Sequence, residues 1–236
     1  DLTDSGGAGL PSQQYLALGS GFVVKYSVGV GTAGGGTVDG YSDLKARVIV
    51  KRGSTVISEF QDAEFVGVTA GQSYTFDASP YLKDATAYTV QVEAQATYQD
   101  GTLMKTATAK VTMVAMTLET TYSVGNGLAD GGYRNDVNIP FTAKGTSGEK
   151  NIYYRVNGGQ AFTLGLSAGS GVQQKNVTIP LTQMQEGTNV VEAYAQHENS
   201  GVVSQVHYIT LLKAGSGVTA YAGMMFSHRA AGFQRE

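Results

Sequence analysis

Residues 187–213, GTNVVEAYAQHENSGVVSQVHYITLLK, predict two β-strands joined by a short polar turn. Apolar residues alternate with polar or amphipathic ones along the first half, and this period of two is typical of a strand with one buried face. The apolar set is Val191, Ala193 and Ala195. The turn is predicted at residues 198–201, where the final glycine can adopt positive φ. The return strand is predicted over residues 203–212, because β-branched and aromatic residues dominate it.

The same design occurs about a hundred residues earlier in the chain. A strand pattern over residues 88–96 is followed by a turn at residues 99–101 and by a return strand over residues 105–113. Val90, Val92 and Ala94 occupy the positions that Val191, Ala193 and Ala195 occupy in the later hairpin. The repetition predicts two similar β-modules in tandem.

Shorter strand patterns fill each module between glycine-rich turns that recur at roughly 8–12 residues. The two residues Asn157 and Gly158 are the strongest hairpin signal among these turns. About seven strands in about 100 residues is the pattern of an immunoglobulin-like sandwich. The sequence therefore predicts an all-β fold of two tandem immunoglobulin-like, fibronectin III-like β-sandwiches. The predicted strands outside the two hairpins are residues 22–30, 44–51, 55–60, 65–68, 74–76, 117–124, 137–141, 152–156, 160–166 and 177–181.

The predicted domain organisation has four parts. Residues 1–14 are expected to be a linker, because they are polar and glycine-rich. The first domain is predicted over residues 15–115 and the second over residues 116–213. Residues 214–236 form a second linker followed by an apolar segment, YAGMMF, which is either the start of a further domain or a strand that pairs with a neighbour.

Composition excludes several classes of protein. Charged residues are 15% of the chain and the net charge is −3, whereas binding of nucleic acid calls for a clustered basic surface. There is no cysteine, so disulfides and thiolate metal sites are excluded. No apolar run reaches the roughly 18 residues of a membrane-spanning helix, so no membrane insertion is expected. The 14 tyrosines, with no tryptophan, favour contact with proteins or sugars.

Motifs for catalysis are weak. A G-x-G-x-x-G match at residues 29–34 is followed by more glycines and a strand rather than by the helix that phosphate binding requires. His197, His207 and His228 lack the spacing of a zinc site, and no G-x-S-x-G elbow supports a serine hydrolase. The carboxylates Glu59, Asp62 and Glu64 are expected to be a solvated edge. We therefore predict no catalytic residue, no cofactor and no enzyme activity.

Two glycine-rich loops contain oxygen ligands that Ca²⁺ could use. Asp130, Asn135 and Asp136 lie in one loop, and Asp39 and Asp43 lie in the other. Asp and Asn in loops more commonly bond the backbone, so no metal site is predicted, although calcium stays an open alternative.

Four residues are the candidate ligand-binding set, because each pair places an aromatic ring beside a guanidinium group. These are Tyr133, Arg134, Tyr153 and Arg155. Tyr153 and Tyr154 are consecutive strand residues that point to opposite faces, so only one of them is expected to be exposed.

Residues 15–213 resemble the tandem immunoglobulin-like modules of gut-bacterial surface proteins and of phage or prophage tail-associated proteins. The resemblance is carried by residues 76–90, 111–122, IPFT at 139–142, EGTNVVEA at 186–193, and Ser204 after its G-V-V turn. It implies a non-catalytic spacer or adhesive role beside a separate functional domain. It also implies an extracellular, cell-surface or virion location.

The leading functional hypothesis is therefore a structural and adhesive module that spaces or presents a neighbouring domain. The alternative is a carbohydrate-binding accessory module of a polysaccharide-utilisation protein, which would require an exposed aromatic row on one sheet face or a loop cleft. Expected partners are a protein or glycan on a cell surface. Edge strands and the C-terminal tail are expected routes to a homo-oligomer.

Overall fold

The computed structural model describes residues 2–3, 6–29, 40–98, 101–122, 132–148, 150–166 and 171–215. The chain divides into two compact units, Asp1–Ala115 and Met116–Glu236. Some sequence predictions fall outside the described residues. They concern most of the G-x-G-x-x-G match, Asp39, Asp130, His228 and the YAGMMF segment.

The first unit is a sandwich of two β-sheets. One sheet has the order β1-β3-β7, and the other has the order β2-β9-β8-β4-β5, with β6 also paired to β4. The strands are β1 (Leu2–Thr3), β2 (Gln14–Ala17), β3 (Val23–Ser27), β4 (Asp43–Arg52), β5 (Thr55–Val56), β6 (Val66–Gly67), β7 (Ser73–Asp77), β8 (Ala87–Tyr98) and β9 (Gly101–Val114).

The predicted hairpin at residues 88–113 is confirmed as β8 and β9, which pair antiparallel along their whole length. Val90 faces the core from β8, and its partner Ala109 does so from β9. Apolar side chains from β3, including Val24, close the core from the other sheet. The predicted strand at residues 55–60 is shorter than expected, because a 3-10 turn at Ser58–Phe60 follows β5.

The structure contradicts the prediction of a linker over residues 1–14. Leu2 lies opposite Tyr26 in an antiparallel pairing of β1 with β3. Leu2 and Leu10 both pack against the first hydrophobic core. β2 then runs parallel to β9, beginning with Gln14. Partial burial of these two leucines outweighs the glycine-rich composition, and the described residues of this segment belong to the sandwich.

The second unit is also a sandwich, with one sheet of order β10-β11-β14 and another of order β13-β12-β15-β16. Alternate apolar residues of both sheets face inward, and Ile139, Ile152 and Val191 are fully buried. The chain is therefore all-β and contains two tandem immunoglobulin-like, fibronectin III-like sandwiches. The strands are β10 (Met116–Thr120), β11 (Val137–Gly145), β12 (Lys150–Val156), β13 (Ala161–Leu166), β14 (Val172–Ile179), β15 (Gly187–His197) and β16 (His207–Lys213).

The β12–β13 turn confirms the hairpin predicted at Asn157 and Gly158. Both residues have positive φ, 51° and 69°, as a type I′ turn requires. Asn157 also reaches the neighbouring strand, where its Oδ1 accepts a hydrogen bond from the Val190 N–H over 2.8 Å. The side chain of the fully buried Asn189 bonds Asn157 and the backbone of Gln185 and Gly187. These hydrogen-bonded residues form a corner of the second unit.

Four strand predictions in the second unit are wrong in their extent. The strand predicted at residues 137–141 continues to Gly145 as β11, and the strand predicted at residues 177–181 spans Val172–Ile179 as β14. The strand predicted at residues 117–124 ends at Thr120 as β10, and residues 123–124 are outside the described part. The return strand predicted at residues 203–212 begins only at His207. The reason is that Ser204 interrupts the ladder. Its Oγ accepts a hydrogen bond from the Ala195 N–H over 3.0 Å and takes the place of a backbone acceptor.

Candidate functional site

A groove of about 250 Å³ lies on the outer face of the four-stranded sheet of the second unit. We call it the tyrosine groove. It is lined mainly by side chains from β12, β15 and the segment that leads into β16. Its defining residues are Tyr153, Arg155, Glu192, Tyr194, Val206 and Tyr208.

Strand register places the outward residues of the groove in two parallel rows. Tyr153 of β12 lies opposite Tyr194 of β15, and the two rings stack with 5.3 Å between centroids and 14° between planes. Arg155 lies opposite Glu192, which in turn lies opposite Tyr208. The aromatic row consists of Tyr153 and Tyr194, and the polar row consists of Arg155, Glu192 and Tyr208. Residues two apart on a strand are roughly 6.5–7 Å apart, so the groove runs across the strands between these two rows.

A β-bulge shapes the end of the groove nearest β16. Ala193 pairs with His207, whereas Gln196 forms a bridge with Val203, so the β16 side contains one extra residue between these pairs. Val206 within the bulged segment and Tyr208 just after it are both exposed, with 43% and 68% of their surfaces accessible. The bulge thus brings an apolar and an aromatic side chain to the rim of the groove.

The polar row contains a closely bonded ion pair. Nε and Nη2 of Arg155 both donate to Oε2 of Glu192, over 2.8 Å and 2.5 Å. This hydrogen bonding and the charge of Glu192 raise the pKa of Arg155, and the nearby hydroxyls of Tyr208 and Tyr194 act in the same direction. The groove therefore offers both hydrogen-bond donors and hydrogen-bond acceptors, and the charges of Arg155 and Glu192 neutralise each other.

The structure brings together two of the four sequence-predicted ligand residues. Tyr153 and Arg155 both line the tyrosine groove. Tyr133 lies instead beside Lys213, which follows Tyr208 by five residues on β16, or roughly 17 Å along the strand. The exposed Arg134 follows it in the chain. Tyr133 and Arg134 are therefore not part of the groove.

Tyr133 contributes to a hydroxyl pair at its own location. The hydroxyls of Tyr122 and Tyr133 are 2.5 Å apart, and the Tyr133 N–H donates to the Leu212 carbonyl over 2.7 Å. Partial burial, followed by the hydrogen bond shared with Tyr133, raises the pKa of Tyr122. These contacts fasten the chain before β11 to the end of β16.

The expectation that only one of Tyr153 and Tyr154 is exposed is not met, because both are half-buried. They do point to opposite faces. Tyr154 shares its face with the buried Ile152 and stacks on Phe162 with 5.3 Å between ring centroids. Phe162 belongs to the edge strand β13 and is itself only half-buried, so the cover over Tyr154 is incomplete.

Sequence reasoning missed the other half of the groove. Glu192 and Tyr194 were visible as outward residues of the β15 pattern, but their partners depend on strand register. For Tyr208, the sequence indicated only that it lies in the predicted return strand, not that it belongs to a binding surface. Val206 reaches the rim only because of the bulge, which no local pattern predicts.

Three of the other residues considered above have structural contacts. Asp136 accepts a hydrogen bond from the Leu181 N–H over 2.8 Å, and Asp43 pairs with Lys45 over 2.6 Å. His197 is fully buried and lies 3.1 Å from the Ser200 hydroxyl. Within the described ranges, no three His, Cys, Asp or Glu residues lie close enough to hold a metal ion.

Across the part of the chain that the structure describes, no helix combines the length and the apolar character needed to cross a membrane.

Comparison with known proteins finds similar folds only among solved structures; no family model and no curated protein matches the chain. The fibronectin(III)-like modules of CbhA from Clostridium thermocellum are 16% identical, with 91% of this chain and 95% of that one covered and a TM-score of 0.34. A tetra-tandem repeat from the extending region of a large adhesion protein is 14% identical, with coverages of 91% and 49% and a TM-score of 0.39. A two-domain fibronectin type III segment of chicken tenascin is 12% identical, with coverages of 90% and 98% and a TM-score of 0.34. The strand order and register described above are the basis for the fold assignment.

Proposed function

We propose that this chain is a non-catalytic adhesive module that also spaces or presents a neighbouring domain of a bacterial surface or phage tail protein. The observation that carries the proposal is the tyrosine groove. It places exposed aromatic and hydrogen-bonding side chains on the regular strands of a closed sandwich. Such a platform favours recognition, because a rigid scaffold lowers the entropy lost on binding.

The chemistry of the groove favours binding over reaction. Arg155 and Glu192 are its charged side chains, and they are hydrogen-bonded to each other. A general acid or base needs a proton that it can exchange near neutral pH. Glu192 instead accepts two hydrogen bonds from the guanidinium group of Arg155. The pair is therefore suited to holding a ligand through hydrogen bonds.

An extracellular, cell-surface or virion location belongs to the same proposal. It is supported by the resemblance of residues 15–213 to modules of surface and tail-associated proteins. The two sandwiches contain no cysteine, so their stability would be the same in an oxidising and a reducing compartment.

Adhesion of beads coated with the purified chain tests the proposal. The beads would be passed over intestinal mucin, over isolated bacterial envelopes and over albumin. Attachment to mucin or to envelopes above the albumin level is expected, and Tyr208→Ser should reduce it. Tyr41→Ser is the matched control, because Tyr41 is an exposed tyrosine of the first unit. Attachment no greater than to albumin would contradict the adhesive role.

A second candidate function is that of a carbohydrate-binding accessory module of a polysaccharide-utilisation protein. The stacked pair of Tyr153 and Tyr194, with Tyr208 across the groove, supports it, because aromatic faces and nearby hydroxyls suit sugar rings. This candidate predicts saturable binding to soluble polysaccharides. Retarded migration of the chain in gels containing a polysaccharide, without bead adhesion, would favour it, whereas bead adhesion would favour the first candidate.

A further inference from the structure

We infer that the ligand of the tyrosine groove is an uncharged sugar unit, lying across β12, β15 and β16 between the two rows of side chains. This inference rests on the proposed adhesive function and specifies the chemical class of its ligand. It follows from the size of the groove, from its charge and from the distribution of its apolar and polar groups.

The size of the groove favours a small ligand. Its volume of about 250 Å³ lies just below the range of pockets for drug-sized molecules. A protein partner would need a contact of roughly 800 Å² on each side, which extends far beyond the two rows. The groove also crosses the strands, so its walls are side chains rather than a free strand edge. An added β-strand would require such an edge for its backbone hydrogen bonds.

The distribution of groups matches a pyranose ring. The aromatic row supplies the stacked rings of Tyr153 and Tyr194. The facing row supplies donors from Arg155 and acceptors from Glu192, with the exposed Tyr208 beside them. A pyranose has C–H groups that contact aromatic surfaces and hydroxyls that both donate and accept. The C–H groups can therefore contact the tyrosine rings, and the hydroxyls can bond the polar row.

The charge of the groove selects against an acidic sugar. Glu192 accepts hydrogen bonds from both the Nε–H and the Nη2–H of Arg155. The pair of guanidinium donors that would otherwise bind a ligand carboxylate is therefore already occupied. A uronate or sulfated sugar would also approach the carboxylate of Glu192. An uncharged sugar avoids this repulsion and uses the remaining donors and acceptors of the pair.

Glycan-array binding of the full chain provides the test, with neutral glycans compared with uronate-containing and sulfated ones. The wild type should bind neutral glycans, and Tyr208→Ser should weaken that binding about tenfold, the effect of losing one good contact. Because Tyr208 is 68% exposed, this variant should retain its fold, and thermal unfolding would verify that. Tyr41→Ser should bind as the wild type does.

A second variant tests the role of charge directly. Glu192→Gln should weaken neutral-glycan binding and strengthen binding of acidic glycans, because the Arg155 fork then becomes available. Glu119→Gln is the matched control, since Glu119 forms a comparable ion pair with Lys144 on the other sheet of the same unit. The shift toward acidic glycans should occur only in the groove variant. An equal shift in both variants would overturn the inference.

Three further results would overturn it. They are a wild type that selects acidic glycans, neutral-glycan binding that Tyr208→Ser leaves unchanged, and an array without binding in either class. In the last case, the mucin and envelope layers of the bead assay would be treated with periodate, which destroys sugars, or with protease. Adhesion lost only after protease treatment would retain the adhesive function while assigning it a protein ligand. Absence of bead adhesion as well would end both proposals.

Discussion

Arg155 and Glu192 are joined by two hydrogen bonds that end on the same carboxylate oxygen, Oε2, at 2.8 Å from Nε and 2.5 Å from Nη2. The register of β12 with β15 places them directly opposite each other. Each lies two residues along its strand from one of the stacked residues Tyr153 and Tyr194. Polar and aromatic groups thereby occupy neighbouring rows of a rigid sheet. This juxtaposition is the basis of the proposed adhesive surface.

Replacement of Arg155 should weaken ligand binding with little effect on the stability of the fold. Arg155→Met is expected to reduce ligand binding about tenfold, because hydrogen bonds to charged groups are among the stronger ones. Its side chain is 49% exposed, so the melting temperature should change little. Arg47→Met is the control, since Arg47 forms a similar pair with Glu93 in the first unit. Equal loss of binding in the two variants would contradict the groove as the binding site.

Asn189 is expected to be a major stabilising residue of the second unit. Its fully buried amide bonds Asn157 and the backbone of Gln185 and Gly187, and removal would leave those groups without partners. Asn189→Ala should lower the free energy of unfolding by roughly 2–4 kcal/mol.

Urea titration followed by amide NMR signals would measure this change, with signals of the first unit as internal reference. Asn138→Ala is the control, because Asn138 is exposed and its side chain bonds only Thr178 among the contacts described. That control should cost less than about 0.5 kcal/mol. A similar small effect for Asn189→Ala would show that the corner is not important for stability.

Gly148 and Gly158 compare a glycine that is both close to a neighbour and at φ of 136° with a glycine in open space at φ of 69°. Both have positive φ, but only at Gly148 would a Cβ atom meet a neighbour, at 2.6 Å from Nε2 of the buried His197. Gly148→Ala should therefore destabilise the second unit by about 1–3 kcal/mol more than Gly158→Ala. Denaturant unfolding of the two variants measures the difference. Equal destabilisation would mean that His197 moves without cost.

The stability of the second unit should rise with pH through the titration of Lys150. Burial lowers the pKa of its ammonium group below the ordinary value of 10.5. Between the folded-state pKa and 10.5, the folded chain has lost a proton that the unfolded chain still binds. Unfolding then takes up a proton, so the free energy of unfolding increases with pH over this window.

Lys150→Met should remove this increase. Unfolding curves of both proteins, measured from about pH 7 to about pH 10, would isolate the contribution of Lys150, because other groups affect both alike. The wild type should gain stability relative to the variant as the pH rises. Parallel pH profiles would contradict a lowered pKa of Lys150 in the folded chain.

Alternation of residue types was sufficient to predict most of the strands and their buried faces. Val191, Ala193 and Ala195 are fully buried as the period of two requires, and the hairpin of β8 and β9 extends over nearly the predicted residues. The N-terminal segment was mispredicted because Leu2 and Leu10 are isolated apolar residues among glycines. Their burial depends on a space left by distant strands, which local composition does not describe.

The site could be predicted only where its residues are neighbours in sequence. Tyr153 and Arg155 lie on one strand, two residues apart, and a local pattern identified both. Glu192 and Tyr208 join them through pairing between strands, which depends on register. Val206 depends further on the bulge that Ser204 creates by bonding Ala195, a side-chain contact between residues of one hairpin that no periodic pattern predicts.

Mapping of amide NMR shifts during titration with a bound neutral glycan would test most directly whether adhesion occurs through the tyrosine groove. The proposed function predicts saturable shifts clustered at Tyr153, Arg155, Glu192, Tyr194 and Tyr208, with the signals of the first unit unchanged. Saturable shifts confined to the first unit, or to the region of Tyr133 and Arg134, would contradict the assignment of the groove as the adhesive surface.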